Sequence, residues 1–173
     1  MVGLKRDIIV ALPVVYLIFA SHSHVDASNN FCATAVDKQL CENTVKGATN
    51  WEEAITEAIV KAIYQQANAS TWGNPACEKP YRDTEENLVE SLEIVGMTRQ
   101  SDEDKSKGLK AKLPKALTSL EDCFKILKDL KQDASAEKRL MHGAEQAIGV
   151  CLAVNSFKSP APSKPPSYSR KMK

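Results

Sequence analysis

The chain has 173 residues, of which 43% are hydrophobic and 26% are charged, and these proportions are those of an ordinary globular protein. This length suits one domain with a substantial hydrophobic core and is short for two. With 23 basic and 22 acidic residues the net charge is only +1, which argues against a nucleic-acid-binding protein that neutralises phosphates. Aromatic residues make up only 6%, so the composition favours helices over a β-sandwich.

Residues 1–27 have the pattern of a secretory signal peptide. Two basic residues precede an uncharged apolar run over residues 8–20, and small or polar residues follow it. We predict cleavage between Ala27 and Ser28, with cleavage after Ala20 as the alternative. The apolar run is shorter than the roughly 20 residues that span a bilayer, so an uncleaved anchor is the less favoured reading. We therefore expect a secreted mature chain with no membrane association after cleavage.

Apolar residues then recur every three or four positions in four segments, and this period predicts four main helices, over residues 49–70, 83–97, 113–132 and 136–157. Thr49 with Glu52 predicts a capping box at the start of the first helix. Asp83 with Glu86 predicts the N-terminal cap of the second. Four such helices, each with one apolar stripe to bury, favour an up-and-down bundle.

The third and fourth predicted helices each carry one position that their interpretation depends on. Pro114 is expected in the first turn of the third helix, where its missing N–H would have no partner. Leu140 is expected on the core stripe of the fourth helix, together with Ala144 and Cys151.

Residues 71–80 contain glycine and prolines and predict a loop. Residues 98–112 are charged and aperiodic and predict a mobile surface loop.

One motif suggests modification of a secreted chain, and the C-terminal tail differs in composition from the rest. Asn68 begins an N-glycosylation sequon at the end of the first long helix, where exposure is expected. Residues 158–173 carry five basic side chains and no acidic one, and their prolines predict a disordered tail with polyproline II character. Residues 28–157, by contrast, carry 16 basic and 20 acidic side chains, so the near-neutral total combines a mildly acidic helical part with a basic tail.

No group of residues predicts a catalytic or cofactor site. His142 is the only histidine after the predicted cleavage site, and its helical position places it among charged residues, as expected for a solvated side chain. One histidine does not suffice for a His-rich zinc site or a Ser/His/Asp arrangement. The acidic run at 102–104 lacks the glycine and the glutamate of an EF-hand, since Lys107 and Leu113 stand at their positions. We expect a protein that is not an enzyme and needs neither cofactor nor metal.

Five cysteines follow the predicted cleavage site, and in an oxidising compartment we expect a disulfide framework. Cys32 and Cys41 are nine positions apart, and a short helical hairpin would bring them together. Cys123 and Cys151 can face each other if their helices are antiparallel neighbours, although this requires a shifted turn or a tilted pair. Cys77 lies in the predicted loop before the second helix. Five cysteines allow several pairings, so the residues themselves leave the connectivity open.

The cysteine motifs resemble those of the plant invertase and pectin methylesterase inhibitor family. After the signal peptide comes a Cys-x8-Cys motif at residues 32–41, with Thr34 inside it. Residues 120–123 (Leu-Glu-Asp-Cys) resemble the Leu-x-Asp-Cys motif of that family, and residues 149–151 (Gly-Val-Cys) lie where the family has its fourth cysteine. The resemblance covers residues 31–66 and 113–157.

This resemblance implies an all-α, disulfide-bonded four-helix up-and-down bundle over residues 28–157, with an N-terminal helical hairpin. It implies the bridges Cys32–Cys41 and Cys123–Cys151 and leaves Cys77 unpaired. The chain departs from the family pattern because it lacks the proline before the second cysteine and has an additional cysteine and helix before Cys123. The segment between Cys123 and Cys151 is also shorter, and the family's final helix has no counterpart.

Members of the family bind pectin methylesterases or acid invertases non-covalently in the apoplast and mask the substrate cleft. The resemblance therefore implies a secreted plant glycoprotein of the apoplast or cell wall that inhibits one of these enzymes and has no catalytic residues of its own. Because of the departures, it assigns no target-contacting residue. A structural or signalling wall protein that presents the Pro-rich tail is the alternative. A carrier of small apolar ligands ranks last, because alanine-rich helix faces favour tight packing.

Overall fold

The structure is a computed structural model that describes residues 30–158. The predicted signal peptide with its cleavage site, Ala27 and Ser28, and residues 159–173 of the predicted tail lie outside the described residues. Within the described range the chain forms helices and no strand. These are α1 (Lys38–Thr44), α2 (Trp51–Trp72), a 3₁₀ turn (Pro75–Cys77), α3 (Glu78–Gly96), α4 (Asp102–Asp129) and α5 (Ser135–Phe157). The predicted all-helical fold is confirmed for this part of the chain.

The four long helices share one hydrophobic core. Helix α3 packs against α2 and α4, and α5 packs against α4 and α2, so that each long helix has two long neighbours. Helix α1 lies against α2 and α5. Burial of each large apolar side chain contributes about 1.5–3 kcal/mol, which makes this shared core the main source of stability. Its largest fully buried apolar side chains are Ile55, Ile59, Leu88, Leu109, Leu113, Leu120, Leu127, Met141 and Ile148.

The start of α2 is capped one residue later than the sequence predicts. The Asn50 side chain accepts a hydrogen bond from the backbone N–H of Glu53 at 2.9 Å. The Glu53 carboxylate accepts hydrogen bonds from the backbone N–H and the hydroxyl of Thr49, at 2.7 and 2.8 Å, and these bonds lower the pKa of the Glu53 carboxyl. The predicted pair of Thr49 with Glu52 is therefore wrong. Glu52 is left to form an ion pair with Lys105, with a distance of 2.9 Å between Oε2 and Nζ.

Helix α3 begins at Glu78, so the cap predicted at Asp83 is wrong. The Asn74 side chain accepts a hydrogen bond from a backbone N–H at 2.9 Å and begins the 3₁₀ turn, which continues directly into α3. Pro80 fits the first turn of this helix because no helical partner is needed for an N–H there. Asp83 forms an ion pair with Lys79 one turn earlier. The predicted loop before the second helix is therefore much shorter than expected.

Helix α4 begins at Asp102, so most of the predicted mobile loop 98–112 is helical. Ser101 caps the helix and accepts a hydrogen bond from the backbone N–H of Asp104 at 3.2 Å. The three acidic residues of the first turn lie at the positive end of the helix dipole. Lys105 and Ser106 occupy buried positions on the core face. The helical period was missed because polar side chains stand where apolar ones are expected.

Pro114 lies in the interior of α4 and not in its first turn. Its ring removes one helical hydrogen bond, which would otherwise join its N–H to the carbonyl of Lys110. Both residues are exposed, so the freed carbonyl lies on the solvent side of the helix, where water can satisfy it. This position makes the proline tolerable inside a long helix.

The predicted core stripe of α5 is wrong at its first position and confirmed at Ala144 and Cys151. Met141 is fully buried, whereas Leu140, which was expected on the stripe, is 37% exposed. Ala144 and Cys151 are fully buried as predicted, and Ile148, which the sequence places beside the stripe, is fully buried as well. Leu140 and Met141 are adjacent, so the sequence leaves open which of the two faces the core, and contact with α2 and α4 decides it.

The disulfides are Cys32–Cys41 and Cys77–Cys123, and Cys151 is a buried free thiol. Cys32–Cys41 is the pair that the family resemblance implies. The implied Cys123–Cys151 bridge is wrong, and so is the expectation that Cys77 is unpaired. The 3₁₀ turn before α3 brings the Cα atoms of Cys77 and Cys123 within 5.0 Å, because α3 packs along α4. The additional cysteine and the additional helix therefore belong to one feature.

The cysteine assignment predicts a simple pattern of thiol labelling. Burial raises the pKa of the Cys151 thiol, and the thiolate is the reactive form, so the native oxidised protein should not react with an alkylating reagent. In denaturant without reductant one thiol per chain should react, and peptide mapping should place it at Cys151. Labelling of Cys77, or a peptide that joins Cys123 to Cys151, would contradict the assignment.

The two disulfides should differ in their contribution to stability. Cys77–Cys123 closes a loop with a sequence separation of 46, and Cys32–Cys41 closes one of 9. From loop-closure entropy we expect the double alanine variant of the first pair to lose about 4 kcal/mol, and that of the second about 2.7 kcal/mol. Urea unfolding measures both free energies under oxidising conditions. An equal or reversed order would show that loop closure is not the main effect.

Candidate functional site

An open groove of about 560 Å³ lies between the segment that precedes α1 and the outer face of α5. Residues 34–37 and Leu40 form one wall, and α5 forms the other from His142 to Ala153. Apolar side chains make up most of its lining, among them Val36, Leu40, Val150 and Leu152. The polar lining groups are Thr34, Asp37, His142, Glu145 and Gln146.

The N-terminal wall of the groove is held by four kinds of contact. The Cys32–Cys41 disulfide closes it, with the two Cα atoms 5.8 Å apart. Asp37 caps α1 and accepts a hydrogen bond from the backbone N–H of Leu40 at 2.8 Å. The hydroxyl groups of Thr34 and Ser156 lie 2.6 Å apart in a hydrogen bond. The rings of Phe31 and Phe157 meet edge to face with centroids 5.1 Å apart. The first two contacts hold the wall together, and the last two fix it to the C-terminal end of α5.

Val36 and Gly149 make the groove apolar at one wall and open at the other. The Val36 side chain is fully exposed, at 106% of its reference area, on a wall that cross-linking makes rigid. A Cβ atom placed on Gly149, on the opposite wall, would meet no atom within 4 Å. A single exposed apolar residue is ordinary, but one that borders an apolar groove enlarges a surface that another molecule can cover.

The residues predicted from the sequence lie at separate places. His142 is exposed and lies on the rim of the groove, consistent with a solvated side chain. Asn68 is exposed on α2, so the sequon is accessible for glycosylation. Cys32 and Cys41 lie in the N-terminal segment that forms one wall of the groove, whereas Cys77 and Cys123 lie at the junction of α3 and α4. The acidic residues at 102–104 form the first turn of α4.

The sequence interpretation did not find the groove itself. Val36 and Leu40 lie in a short segment without a measurable period, so no pattern pointed to their surface role. Gly149 did carry a signal, because a glycine inside a helix costs about 0.5–1 kcal/mol relative to alanine and suggests a packing or functional reason. The structure shows no packing reason for this glycine, because a Cβ atom there would meet no atom within 4 Å.

The groove lining combines apolar side chains with a few ionisable groups. The ionisable lining groups are Asp37, His142 and Glu145, and two of them are acidic. The Asp37 carboxylate is already engaged as the cap of α1. Apolar lining with an acidic rim suits an apolar surface bordered by positive charge.

Comparison of the chain with protein-family models, with curated proteins and with solved structures gives no match. Among the described helices none is long and apolar enough to cross a membrane. The features of this chain that bear on function are the groove, the disulfide-linked segment beside it and the cysteine motifs.

The open space at Gly149 leads to a stability prediction. We expect Gly149→Ala to stabilise the protein by about 0.5–1 kcal/mol, because alanine restricts the unfolded chain and its Cβ meets no atom within 4 Å. Gly143→Ala on the same helix is the matched control, since its Cβ would lie 2.9 Å from Gln65 Oε1 and should gain less. Urea unfolding measures both variants. A destabilised Gly149→Ala would show that the groove is closed at this point.

Proposed function

We propose that this chain is a secreted, non-catalytic inhibitor that binds a pectin methylesterase or an acid invertase of the plant cell wall non-covalently. The observation that carries the proposal is the disulfide-linked N-terminal segment, which holds the exposed Val36 beside the apolar groove on α5. The Cys-x8-Cys and Leu-x-Asp-Cys motifs, which resemble those of the inhibitor family, support it from the sequence.

We also propose that the four long helices form an up-and-down bundle. The connections between α3 and α4 and between α4 and α5 are five residues long, and short connections favour antiparallel neighbours. Consecutive packing of the long helices supports the same arrangement. Helix α3 then takes one of the four bundle positions formed by the described helices, and the Cys77–Cys123 bridge joins it to α4.

Rigidity of the groove wall favours tight binding. A disulfide-linked, capped segment loses little conformational freedom when a partner covers it, so less of the interaction free energy is lost on ordering. Protein inhibitors commonly bury about 800 Å² of their own surface, which exceeds one groove. The contact can extend to α2, where Val60 and Tyr64 are exposed and line a second, shallower groove on the other side of Leu40.

The charge of the helical part and of the groove rim favours one kind of target surface. The mature helical part, residues 28–157, has 16 basic and 20 acidic side chains, and the groove rim contains Asp37 and Glu145. A target whose cleft is bordered by basic side chains would associate faster at low salt than one with an acidic border. This electrostatic contribution favours association with the candidate enzyme whose cleft border is more basic. It weakens as the salt concentration rises.

Purified mature protein should inhibit at least one of the two enzyme classes in a titration of activity. Val36→Glu places a charge on the exposed wall, and we expect it to raise the inhibition constant about tenfold or more, as loss of a central interface residue does. Gly149→Trp, which would occupy the groove, should have a similar effect. Val89→Glu on α3, where the valine is 40% exposed and outside this groove, is the matched control and should inhibit normally.

Thermal melts of all three variants separate loss of binding from loss of folding. Absence of binding and of inhibition with both enzyme classes at micromolar concentration would refute the proposed function. Equal loss in Val36→Glu and Val89→Glu, with both folded, would leave the function standing but would refute the groove as the contact surface.

A further inference from the structure

Helix α2 exposes two aromatic side chains, one on either side of the sequon residue Asn68. Tyr64 lies four residues before Asn68 and Trp72 lies four residues after it, so the three side chains share one face of the helix. Trp72 is 77% exposed and Tyr64 is 61% exposed, more than any other aromatic side chain in the described part of the chain. An indole ring left in water to this extent is a surface that another group can cover.

The two rings point in different directions relative to Asn68. Side chains on a helix lean toward its N-terminus, so a ring covers the turn before its own Cα atom. By this geometry Trp72 extends over the turn that contains Asn68. Tyr64 leans the other way, toward Lys61, whose ammonium nitrogen lies 5.6 Å from the centre of the tyrosine ring. Trp72 is therefore the aromatic ring beside the sequon.

The neighbouring helix also exposes apolar surface at this level. Helices α2 and α5 run in opposite directions, because the indole of Trp51, at the start of α2, donates a hydrogen bond to a carbonyl near the end of α5. Further along α2, Gln65 lies beside Gly143 of α5. Asn68, three residues after Gln65, is thus level with Leu140, which is partly exposed. At the level of the sequon both helices expose apolar side chains.

We propose that Asn68 carries an N-linked glycan whose first sugar packs on the ring of Trp72. The sequon Asn68-Ala69-Ser70 supplies the acceptor amide and the required hydroxyl residue. The C–H groups on one face of N-acetylglucosamine are apolar and fit the face of an aromatic ring. Because the sugar is tethered one helical turn from the ring, its effective concentration is high and a weak contact suffices. Glycosylation rests on the secretion that the proposed function includes, but it does not depend on inhibition.

The covalent step uses a lipid-linked oligosaccharide pyrophosphate as the sugar donor. The side-chain nitrogen of Asn68 forms a bond to C1 of the first sugar, and the bond between C1 and the pyrophosphate oxygen breaks. The pyrophosphate leaves with the electron pair of that bond, and the amide gives up one proton. The transfer takes place on the chain before it folds, so the helical position of Asn68 does not prevent it.

A glycan at this position limits where a target enzyme can contact α2. Trp72 lies at the C-terminal end of α2 and lines neither groove, whereas Tyr64 and Val60 line the shallower one. A sugar on Trp72 therefore leaves the groove at Val60 open and covers α2 beyond Tyr64. The contact surface of an inhibitor would end there.

The first test uses the full chain secreted from a eukaryotic cell line, with glycopeptide mass spectrometry, and we expect Asn68 to be occupied. The two tryptophans of the chain are Trp51, which is buried, and Trp72, so iodide quenching of fluorescence reports on Trp72. We expect quenching to be about twofold weaker than in Ser70→Ala, because a sugar covers one of the two ring faces. An unmodified Asn68 in the secreted protein, or equal quenching of the two folded forms, would overturn the proposal.

Thermal melts of four secreted proteins separate packing on Trp72 from the mere presence of a glycan. They are the parent chain, Ser70→Ala, Trp72→Ala and the double variant. We expect loss of the glycan to lower the melting temperature by about 2–4 °C when Trp72 is present and by much less when it is alanine. The hydrogen bond from the Ser70 hydroxyl to the carbonyl of Ala67 is lost in both comparisons and cancels. Equal shifts in the two backgrounds would overturn the packing.

Tyr64→Ala is the matched control, since Tyr64 is an exposed aromatic residue at the same distance from Asn68 but leans away from it. This variant should keep the effect of the glycan, and a loss as large as that in Trp72→Ala would contradict Trp72 as the partner. Trimming the glycan to its first sugar with an endoglycosidase should keep the reduced quenching, and full quenching after trimming would exclude the first sugar as the contact. Self-association of the glycosylated protein that Trp72→Ala abolishes would identify a second copy of the chain as the occupant and overturn the proposal.

Enzyme titrations with the same samples keep glycosylation and inhibition apart. A protein with a glycan packed on Trp72 that inhibits neither enzyme class would refute the inhibitory function alone. An inhibitor that is secreted with Asn68 unmodified would refute the glycan alone.

Discussion

The junction between the 3₁₀ turn, α4 and the start of α5 is the constraint on which the arrangement of the long helices depends. The Cys77–Cys123 disulfide fixes the turn to α4, and Glu137 of α5 accepts a hydrogen bond from Asn74 just before the same turn. Three helices are thereby joined at one end, by a covalent bond and by hydrogen bonds that burial strengthens. The core between them can then pack with one set of neighbours.

The opposite face of α5 is organised by the N-terminal segment. The Cys32–Cys41 disulfide holds this short segment together, and the Thr34–Ser156 hydrogen bond and the Phe31–Phe157 contact attach it to α5. The same attachment leaves Val36 in solvent and creates the groove. One helix therefore takes part in two features of different kind: a buried junction that stabilises the fold and an open surface that another molecule can cover.

Polar residues account for most of the differences between the sequence-based prediction and the structure. Lys105 is buried because Glu52, half-exposed on α2, neutralises it at 2.9 Å, and a lysine at a core position conceals the period of α4. Both Thr49 and Asn50 are residue types that can cap α2, so the sequence leaves the cap uncertain by one residue. The contact with α4 decides between them, because Glu52 forms an ion pair with Lys105 and Asn50 is the cap. Such choices differ by about 1 kcal/mol locally, so tertiary contacts decide them.

The sequence by itself determined the helical class, the approximate course of four long helices and the Cys-x8-Cys segment, because apolar period and short-range spacing are local properties. Only the tertiary structure decided that Cys123 bonds to Cys77 and not to Cys151. That choice depends on which helix lies beside α4. The spacing of apolar residues within one helix does not show which distant helix packs against it. The groove has the same origin, since its two walls lie about a hundred residues apart and become one surface only when α1 packs against α5.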